Sequence, residues 1–265
     1  MLSLNPPVFD SCTHPTLNGE WTGGRRGVTF PDLAALKREM PGYHALAIGL
    51  PGVGNYEHWA FKRECDVWGF EGIAAITTVE PGELEREFDT IVQLGFRGVK
   101  VHPRLLGKNV NLDYLSKIFA LCNQFNLVCL LCTYEADKPG RLPSRDPFYQ
   151  LCDSLNQVPD VRLILMHGGG SRLIQFAGLT RHSDSILLDL SFTLLDKVTN
   201  SLQPQIRDLF ERLDQRICIG TDSPEFSVTQ TFEKIEEIAL GLDNKKLSNI
   251  YSKNLHRFFP GRSQV

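Results

Sequence analysis

Short apolar runs alternate with amphipathic segments along the whole chain. In Gly82–Gly95, for example, Leu84, Phe88 and Ile91 recur at helical spacing and mark one face. The apolar runs between such segments are too short for helices and suit strands. The pattern predicts eight strands: Pro7–His14, His44–Leu50, Glu71–Val79, Arg97–Pro103, Leu127–Thr133, Val161–His167, Ser185–Ser191 and Arg216–Asp222.

The strands predict a parallel sheet that is covered by helices. Runs such as LVCLLC and RLILM are apolar almost throughout, whereas half-exposed strands alternate with polar residues. Eight strand–helix repeats in about 250 residues favour an α/β fold of the (β/α)₈ TIM-barrel type. An open, doubly wound sheet is the alternative. With no linker-like stretch, residues 1–265 are predicted to form one barrel domain, and the C-terminal helix in Leu247–Phe259 is expected to pack outside the barrel.

Composition and charge narrow the class of partner. The chain has 265 residues, with 28 Lys and Arg against 31 Asp and Glu, so its formal charge of -3 favours neither nucleic acid nor an anionic membrane. A small-molecule partner is expected. The most apolar run, Leu127–Cys132, is far too short to span a bilayer, and the first ten residues resemble no secretory signal, so a cytoplasmic location is expected. Seven dispersed cysteines are interpreted as thiols, and a homo-oligomer is left open.

Residues that can carry chemistry collect at the carboxyl ends of the predicted strands, which meet at one mouth in a closed barrel. Alternation along the first strand places Asp10, Cys12 and His14 on one face. The same rule groups three basic or titratable residues on the fourth strand. The candidates from the later strands are Lys100, His102, Arg104, Cys132, His167 and Asp222.

The order of these segments resembles a known family. The segments FDSCTH, GFRGVKVHP, LVCLLCT, LILMHGGG, ICIGTDSPE and SKNLHRFF follow one another as in the amidohydrolase superfamily, and most resemble its branch of small carboxylate decarboxylases and lactonases. The resemblance spans nearly the whole chain. It implies a barrel enzyme with a mononuclear metal centre, held by two histidines on the first strand, one on the fifth and an aspartate on the eighth. The resemblance also implies that a histidine on the sixth strand does acid/base work or positions the attacking water.

The carry-over of ligands is incomplete, because two of the family's metal-binding histidines are cysteines here. His14 and Asp222 match the family pattern, whereas Cys12 and Cys132 replace histidine. In one interpretation Cys12, His14, Cys132 and Asp222 bind Zn²⁺, whose Lewis acidity two thiolates would weaken. In the other, the cysteines are buried interior residues and the site is metal-free. A third option makes one cysteine a nucleophile.

The remaining candidates predict an anionic substrate. Lys100, His102 and Arg104, joined by Arg25 from a Gly-rich loop, suit a carboxylate. His167 is the expected general acid or base, and Asp222 a metal ligand or base. The resemblance thus implies a hydrolase of C–N or lactone C–O bonds, or a decarboxylase, acting on a small anionic substrate. The alternative is a catalytically inactive barrel that serves as a binding or assembly subunit. The polar segment 135–146 is either a lid or a surface connection.

Overall fold

Eight parallel strands pair in chain order in a computed structural model, which describes residues 8–20, 31–39, 44–107, 110–134, 145–197 and 199–260. All eight predicted strands are confirmed, and each is shorter than its sequence pattern suggested. They are β1 (Phe9–Thr13), β2 (His44–Ile48), β3 (Glu71–Ala75), β4 (Gly98–Val101), β5 (Val128–Cys132), β6 (Leu163–Met166), β7 (Ile186–Asp189) and β8 (Ile217–Cys218).

Helices follow the strands along the described chain. The α-helices are α1 (Leu33–Glu39), α2 (His58–Trp68), α3 (Pro81–Gln93), α4 (Pro103–Leu106), α5 (Leu112–Gln124), α6 (Pro147–Gln157), α7 (Leu173–Thr180), α8 (Gln203–Arg212), α9 (Val228–Ala239), α10 (Asn244–Ser248) and α11 (Asn254–Phe258). Short 3₁₀ turns span His167–Arg172, Asn200–Leu202 and Asp214–Arg216, and a π-helical turn, Asn249–Lys253, joins the last two α-helices. Within these described ranges, no helix is long and apolar enough to cross a membrane.

The last strand returns to the first and turns the sheet into a barrel. The backbone N–H of Ser11 donates to the carbonyl of Ile219 over 2.9 Å, and that of Asp222 donates to Cys12 over 2.8 Å. A third hydrogen bond, 2.6 Å long, runs from the N–H of His14 to Ser223. The predicted TIM barrel is therefore confirmed, and the alternative of an open sheet is wrong.

The C-terminal segment covers the end of the barrel where the strands begin. Leu255, Phe258 and Phe259 are buried in the same apolar cluster as Phe9, the first residue of β1. The guanidinium of Arg162, just before β6, donates to the carbonyl of Phe258 over 3.1 Å.

The expected C-terminal helix is present. Its last residues close the barrel interior, whereas Ile250 and Tyr251 pack in the outer cluster together with the helices that surround the barrel. The opposite end, where the strands finish, carries the candidate site.

Gly220 allows β8 to approach β1, and we expect Gly220→Ala to destabilise the barrel. A Cβ atom there would lie 2.6 Å from the backbone nitrogen of Cys12 and 2.9 Å from Asp10 Oδ1. Overpacking of this kind costs about 1–3 kcal/mol, which urea unfolding measures. Gly178→Ala on α7 is the matched control, since its Cβ would meet nothing within 4 Å. Equal stability of Gly220→Ala and the wild type would show that the contact between β1 and β8 is loose.

Candidate active site

Three buried side chains converge where the last strand meets the first. Cys12 and His14 come from the end of β1, and Asp222 follows β8. Cys12 Sγ lies 3.2 Å from Asp222 Oδ1 and 3.5 Å from His14 Nε2, and His14 Nε2 lies 3.5 Å from Asp222 Oδ1. The backbone hydrogen bonds that close the barrel fix this arrangement, because they join Asp222 to Cys12 and the next residue, Ser223, to His14. We call these three side chains the β1–β8 triad.

The spacing of the triad matches one face of a zinc coordination tetrahedron. Bond lengths of about 2.3 Å to sulfur and about 2.0–2.2 Å to nitrogen or oxygen place tetrahedral ligand atoms about 3.3–3.6 Å apart. The three observed edges run from 3.2 to 3.5 Å. His14 Nδ1 lies 3.0 Å from the carbonyl oxygen of Ile48, so Nδ1 carries the proton and Nε2 has a lone pair for a metal. The donor set fits Zn²⁺, with the number of protein ligands typical of catalytic zinc sites.

The protonation states of the triad also suit a cation. Burial and the charge of Asp222 raise the pKa of the Cys12 thiol well above its usual value. Burial lowers the pKa of His14, which favours the neutral imidazole. Burial opposes ionisation of Asp222, but the charge of His167 and the hydrogen bond from the Cys12 thiol outweigh it and hold the pKa of this carboxyl well below its usual range. The triad therefore contains one charged carboxylate, a neutral imidazole and a thiol that a metal ion would have to deprotonate.

Two candidate site residues have strained backbones. His167 has φ 65° and Asp222 has φ 55°, in the left-handed region that residues other than glycine rarely adopt. Phe192, near them after β7, has φ 64°. Each such conformation costs about 1–3 kcal/mol, and strain of this kind gathers at functional sites. Of the five described non-glycine residues with positive φ, three therefore lie at the carboxyl ends of β6, β7 and β8, and the other two are the asparagines Asn55 and Asn126.

Cys132 belongs to a different group of side chains from the triad. It ends β5, and the imidazoles of His102 and His167 act on its thiol. Burial opposes its ionisation, but these two imidazoles outweigh burial and lower the pKa of Cys132 well below its usual value. Among the described residues, the set whose ligand atoms all lie within 4.8 Å of one another contains the triad and not Cys132. Metal ligation by Cys132 therefore stays a prediction.

Lys100 brings a positive charge to the centre of the barrel mouth. Its side chain is fully buried on β4, and Nζ has no hydrogen-bond partner in the part of the chain that the structure describes. Its charge acts on Cys12, His14 and His167. His102 Nδ1, two residues along the chain, is also buried without a described partner. Because a buried ammonium without an acceptor is costly, this position suits an anionic group of a ligand.

The two arginines that were predicted to bind substrate, Arg104 and Arg25, are not placed in the site by the structure. Arg104 is exposed, and its guanidinium lies 5.2 Å from the ring centre of Tyr134. Arg25 lies outside the described residues, as does most of the 135–146 segment. Asp146, at the end of that segment, pairs with Arg172 at 2.7 Å. The structure thus brings Lys100 and His102 to the site and leaves Arg104 at the surface.

Asp189 and Ser191 are site residues that the sequence reasoning missed. Asp189 Oδ2 accepts hydrogen bonds from the backbone N–H of His167, over 3.0 Å, and from the hydroxyl of Ser191. Ser191 in turn contacts His167 Nδ1 over 3.1 Å. The motif LDLS ends the seventh predicted strand. The rule that selected the other strand ends already accepts aspartate, and applied to the seventh strand it would have found Asp189 with Ser191 two residues later.

A family profile matches residues 55–261 with the description amidohydrolase. The chain belongs to the amidohydrolase family. The resemblance inferred from the strand ends is thereby confirmed. The matched range contains Lys100, Cys132, His167 and Asp222, and it begins after β1, where Cys12 and His14 lie.

Solved structures with the same fold include hydrolases and decarboxylases. An uncharacterised TIM-barrel protein of Bordetella bronchiseptica aligns with TM-score 0.76 and 16% identity over 96% of this chain and 98% of its own. A probable 2-pyrone-4,6-dicarboxylic acid hydrolase of Acinetobacter baumannii with citric acid bound aligns with TM-score 0.68 and 15% identity, over 95% and 98%. A 2,6-dihydroxybenzoate decarboxylase in complex with 2,6-dihydroxybenzoate gives 0.67 and 14%, over 96% and 98%. No curated protein matches the sequence.

We expect Cys12→Ser to weaken zinc binding by at least about 100-fold, because even the outer partners of metal ligands contribute about 10–100-fold. Competition with a chromophoric chelator measures the affinity. Cys218→Ser is the matched control, since Cys218 is also a buried barrel cysteine but lies outside the triad. Equal affinities of Cys12→Ser and Cys218→Ser would contradict the assignment. Cys132→Ser shows whether a fourth protein ligand exists.

Zinc affinity should rise with pH. The Cys12 thiol, whose pKa is raised by burial, must release one proton when it becomes a ligand. Release of one proton below that pKa strengthens binding about 10-fold per pH unit. Chelator competition between pH 6 and pH 8 measures the slope, and in Cys12→Ser the slope should flatten. A pH-independent affinity of the wild type would mean that Cys12 is not a ligand.

Proposed function

We propose that this chain is a zinc-dependent enzyme that hydrolyses a C–N or lactone C–O bond of a small carboxylate-bearing substrate, or decarboxylates it. One juxtaposition carries the proposal: the β1–β8 triad, with the spacing of zinc ligands, shares the barrel mouth with the unpartnered ammonium of Lys100. A barrel that only binds a partner would have no need of this combination of a metal-ligating triad and a buried charge.

The triad would hold the metal in the proposed enzyme. A bound zinc ion supplies a Lewis acid that polarises a substrate oxygen or acidifies water. A thiolate among the ligands favours zinc over harder ions such as Mg²⁺ or Mn²⁺. Cys12 as thiolate and Asp222 as carboxylate together offset the ion's charge of +2, and a second thiolate from Cys132 would make the centre negative. A neutral centre keeps more Lewis acidity than a negative one, which favours three protein ligands.

Lys100 would recognise the substrate's carboxylate. Its Nζ is buried near the triad and the imidazole of His167, so a bound carboxylate would lie beside the groups that react. A charge-assisted hydrogen bond of this kind contributes about 1.5–3 kcal/mol. Two of the three solved structures named above support this chemistry, since one holds citric acid and the other 2,6-dihydroxybenzoate, both carboxylate compounds. A formal charge of -3 over the whole chain supports a small-molecule partner.

His167 would transfer the proton that the proposed reaction requires. It follows β6 directly, and its Nδ1 faces Ser191, so Nε2 is the nitrogen available to substrate. In hydrolysis, Nε2 would take a proton from the attacking water and give it to the leaving nitrogen or oxygen. In decarboxylation, His167 would enter as the imidazolium and give its Nε2 proton to the carbon that loses carbon dioxide; burial opposes this charged form, but Asp222 and Cys132 raise the pKa of His167 overall. His102 and Cys132 complete the wall beside it.

A substrate screen tests the proposal. Zinc-loaded protein is incubated with lactones, amides and aromatic carboxylic acids, each paired with an uncharged analogue in which an ester or amide replaces the carboxylate. We expect turnover of a carboxylate-bearing compound. His167→Gln should lower kcat by about 10²–10⁴-fold, the usual contribution of a general acid or base.

Lys100→Met should raise KM for the same substrate by about 10–150-fold, the equivalent of one charge-assisted hydrogen bond, and should leave the uncharged analogue unaffected. Lys62→Met is the matched control, because Lys62 is also buried but pairs with Asp66 on α2.

Zinc-loaded protein that binds carboxylates in calorimetry without turning any over would favour the inactive binding subunit. The absence of both carboxylate binding and turnover would overturn the proposal.

A further inference from the structure

We infer that Ser191 and Asp189 are positioning residues, which hold His167 in the tautomer with the proton on Nδ1 and so leave Nε2 as its reactive nitrogen. The inference rests on the acid/base role proposed for His167. Neither residue belongs to the metal site or to the groups proposed to bind substrate.

The contacts of His167 Nδ1 fix the position of its proton. This nitrogen lies 3.1 Å from the carbonyl oxygen of Ser191 and 3.1 Å from the Ser191 hydroxyl oxygen. The carbonyl can only accept, so Nδ1 must donate. The hydroxyl gives its own hydrogen to Asp189 Oδ2, and its oxygen is therefore also an acceptor toward the ring. In the opposite tautomer, a lone pair on Nδ1 would face two oxygens.

Asp189 determines the direction in which the Ser191 hydroxyl donates its hydrogen bond. Its carboxylate is fully buried and accepts hydrogen bonds from the hydroxyl of Ser11 on β1, the hydroxyl of Ser191 and the backbone N–H of His167. An acceptor-only group at the end of the chain of hydrogen bonds forces the Ser191 hydroxyl to donate away from the imidazole. Asp189 therefore reinforces, without touching the ring, the tautomer that the Ser191 carbonyl requires.

The same contacts hold the backbone of His167 in its unusual conformation. Its N–H donates to Asp189, and its carbonyl accepts from the hydroxyl of Thr193. Both peptide groups that flank the strained φ of 65° are thus anchored to the last residue of β7 and to the segment that follows it. Ring orientation, tautomer and backbone strain of His167 all depend on this one segment, which lies in the correct place to present Nε2 toward Cys132 and Asp222.

Long-range ¹H–¹⁵N NMR of the imidazole tests the inference without a substrate. His167→Gln assigns the resonance, and spectra are recorded at a pH that leaves the ring neutral. We expect the Nδ1–H tautomer in the wild type. Asp189→Asn should move the population toward Nε2–H, because an amide N–H can donate to Ser191 Oγ and turn its hydroxyl toward the ring. An Nε2–H tautomer in the wild type would overturn the inference.

Ser191 variants keep the test decisive if Asp189→Asn does not fold. Ser191→Ala should reduce the share of the Nδ1–H tautomer, and Ser191→Thr, which keeps the hydroxyl, should restore it. Ser154→Ala is the matched control, since Ser154 is a fully buried serine on α6 whose hydroxyl has no partner among the described residues. A Ser191→Ala spectrum identical to that of the wild type would contradict a role for the hydroxyl.

Kinetics then separate this inference from the proposed function. With a substrate from the screen, Ser191→Ala should lower kcat by about 10-fold or more, part of the general acid/base contribution. KM and zinc affinity should stay unchanged, and Ser191→Thr should recover kcat. A rise in KM with an unchanged kcat would contradict a positioning role. If no substrate is turned over, the proposed function fails, while the NMR result decides the tautomer by itself.

Discussion

Closure of the barrel between β1 and β8 is the constraint on which the site depends. The hydrogen bonds that join these segments place Cys12 and His14 within contact distance of Asp222, although more than 200 residues separate them in sequence. Gly220 permits the approach because any side chain would collide with the backbone of Cys12. The triad therefore needs no dedicated loop: its geometry follows from the strand pairing that makes the fold stable.

Charge balance explains how cysteines can occupy positions where the family has histidines. Around the barrel mouth, the carboxylates of Asp222 and Asp189 and the ammonium of Lys100 all act on the Cys12 thiol, and the charge of His167 acts on Asp222. Without a metal, Cys12 is a thiol that donates to Asp222, so the triad is stable as it stands. With zinc, the thiol becomes a thiolate and the centre gains a softer ligand at the expense of positive charge. Cys132, beside two imidazoles, lies in surroundings that favour its thiolate even without a metal.

The sequence was sufficient for the fold and for most of the site segments, and insufficient for their mutual distances. Continuous apolar runs reveal buried parallel strands, and the polar residues at the carboxyl ends of those strands do gather at one mouth. Whether Cys132 faces the triad or the two histidines depends on the tilt of β5 across the barrel, which no local pattern records. Asp189 and Ser191 act on a histidine of the neighbouring strand, and no pattern within the seventh strand indicates that contact. The apolar residues of the last segment divide between the outer cluster and the barrel interior, and their spacing alone does not distinguish the two surfaces.

X-ray absorption at the zinc edge tests the central claim most directly, because it counts sulfur neighbours without any knowledge of the substrate. The account predicts a first shell with sulfur at about 2.3 Å together with nitrogen and oxygen at about 2.0–2.2 Å, and the loss of one sulfur in Cys12→Ser. A shell of nitrogen and oxygen alone in the wild type, or an unchanged sulfur count in Cys12→Ser, would contradict it.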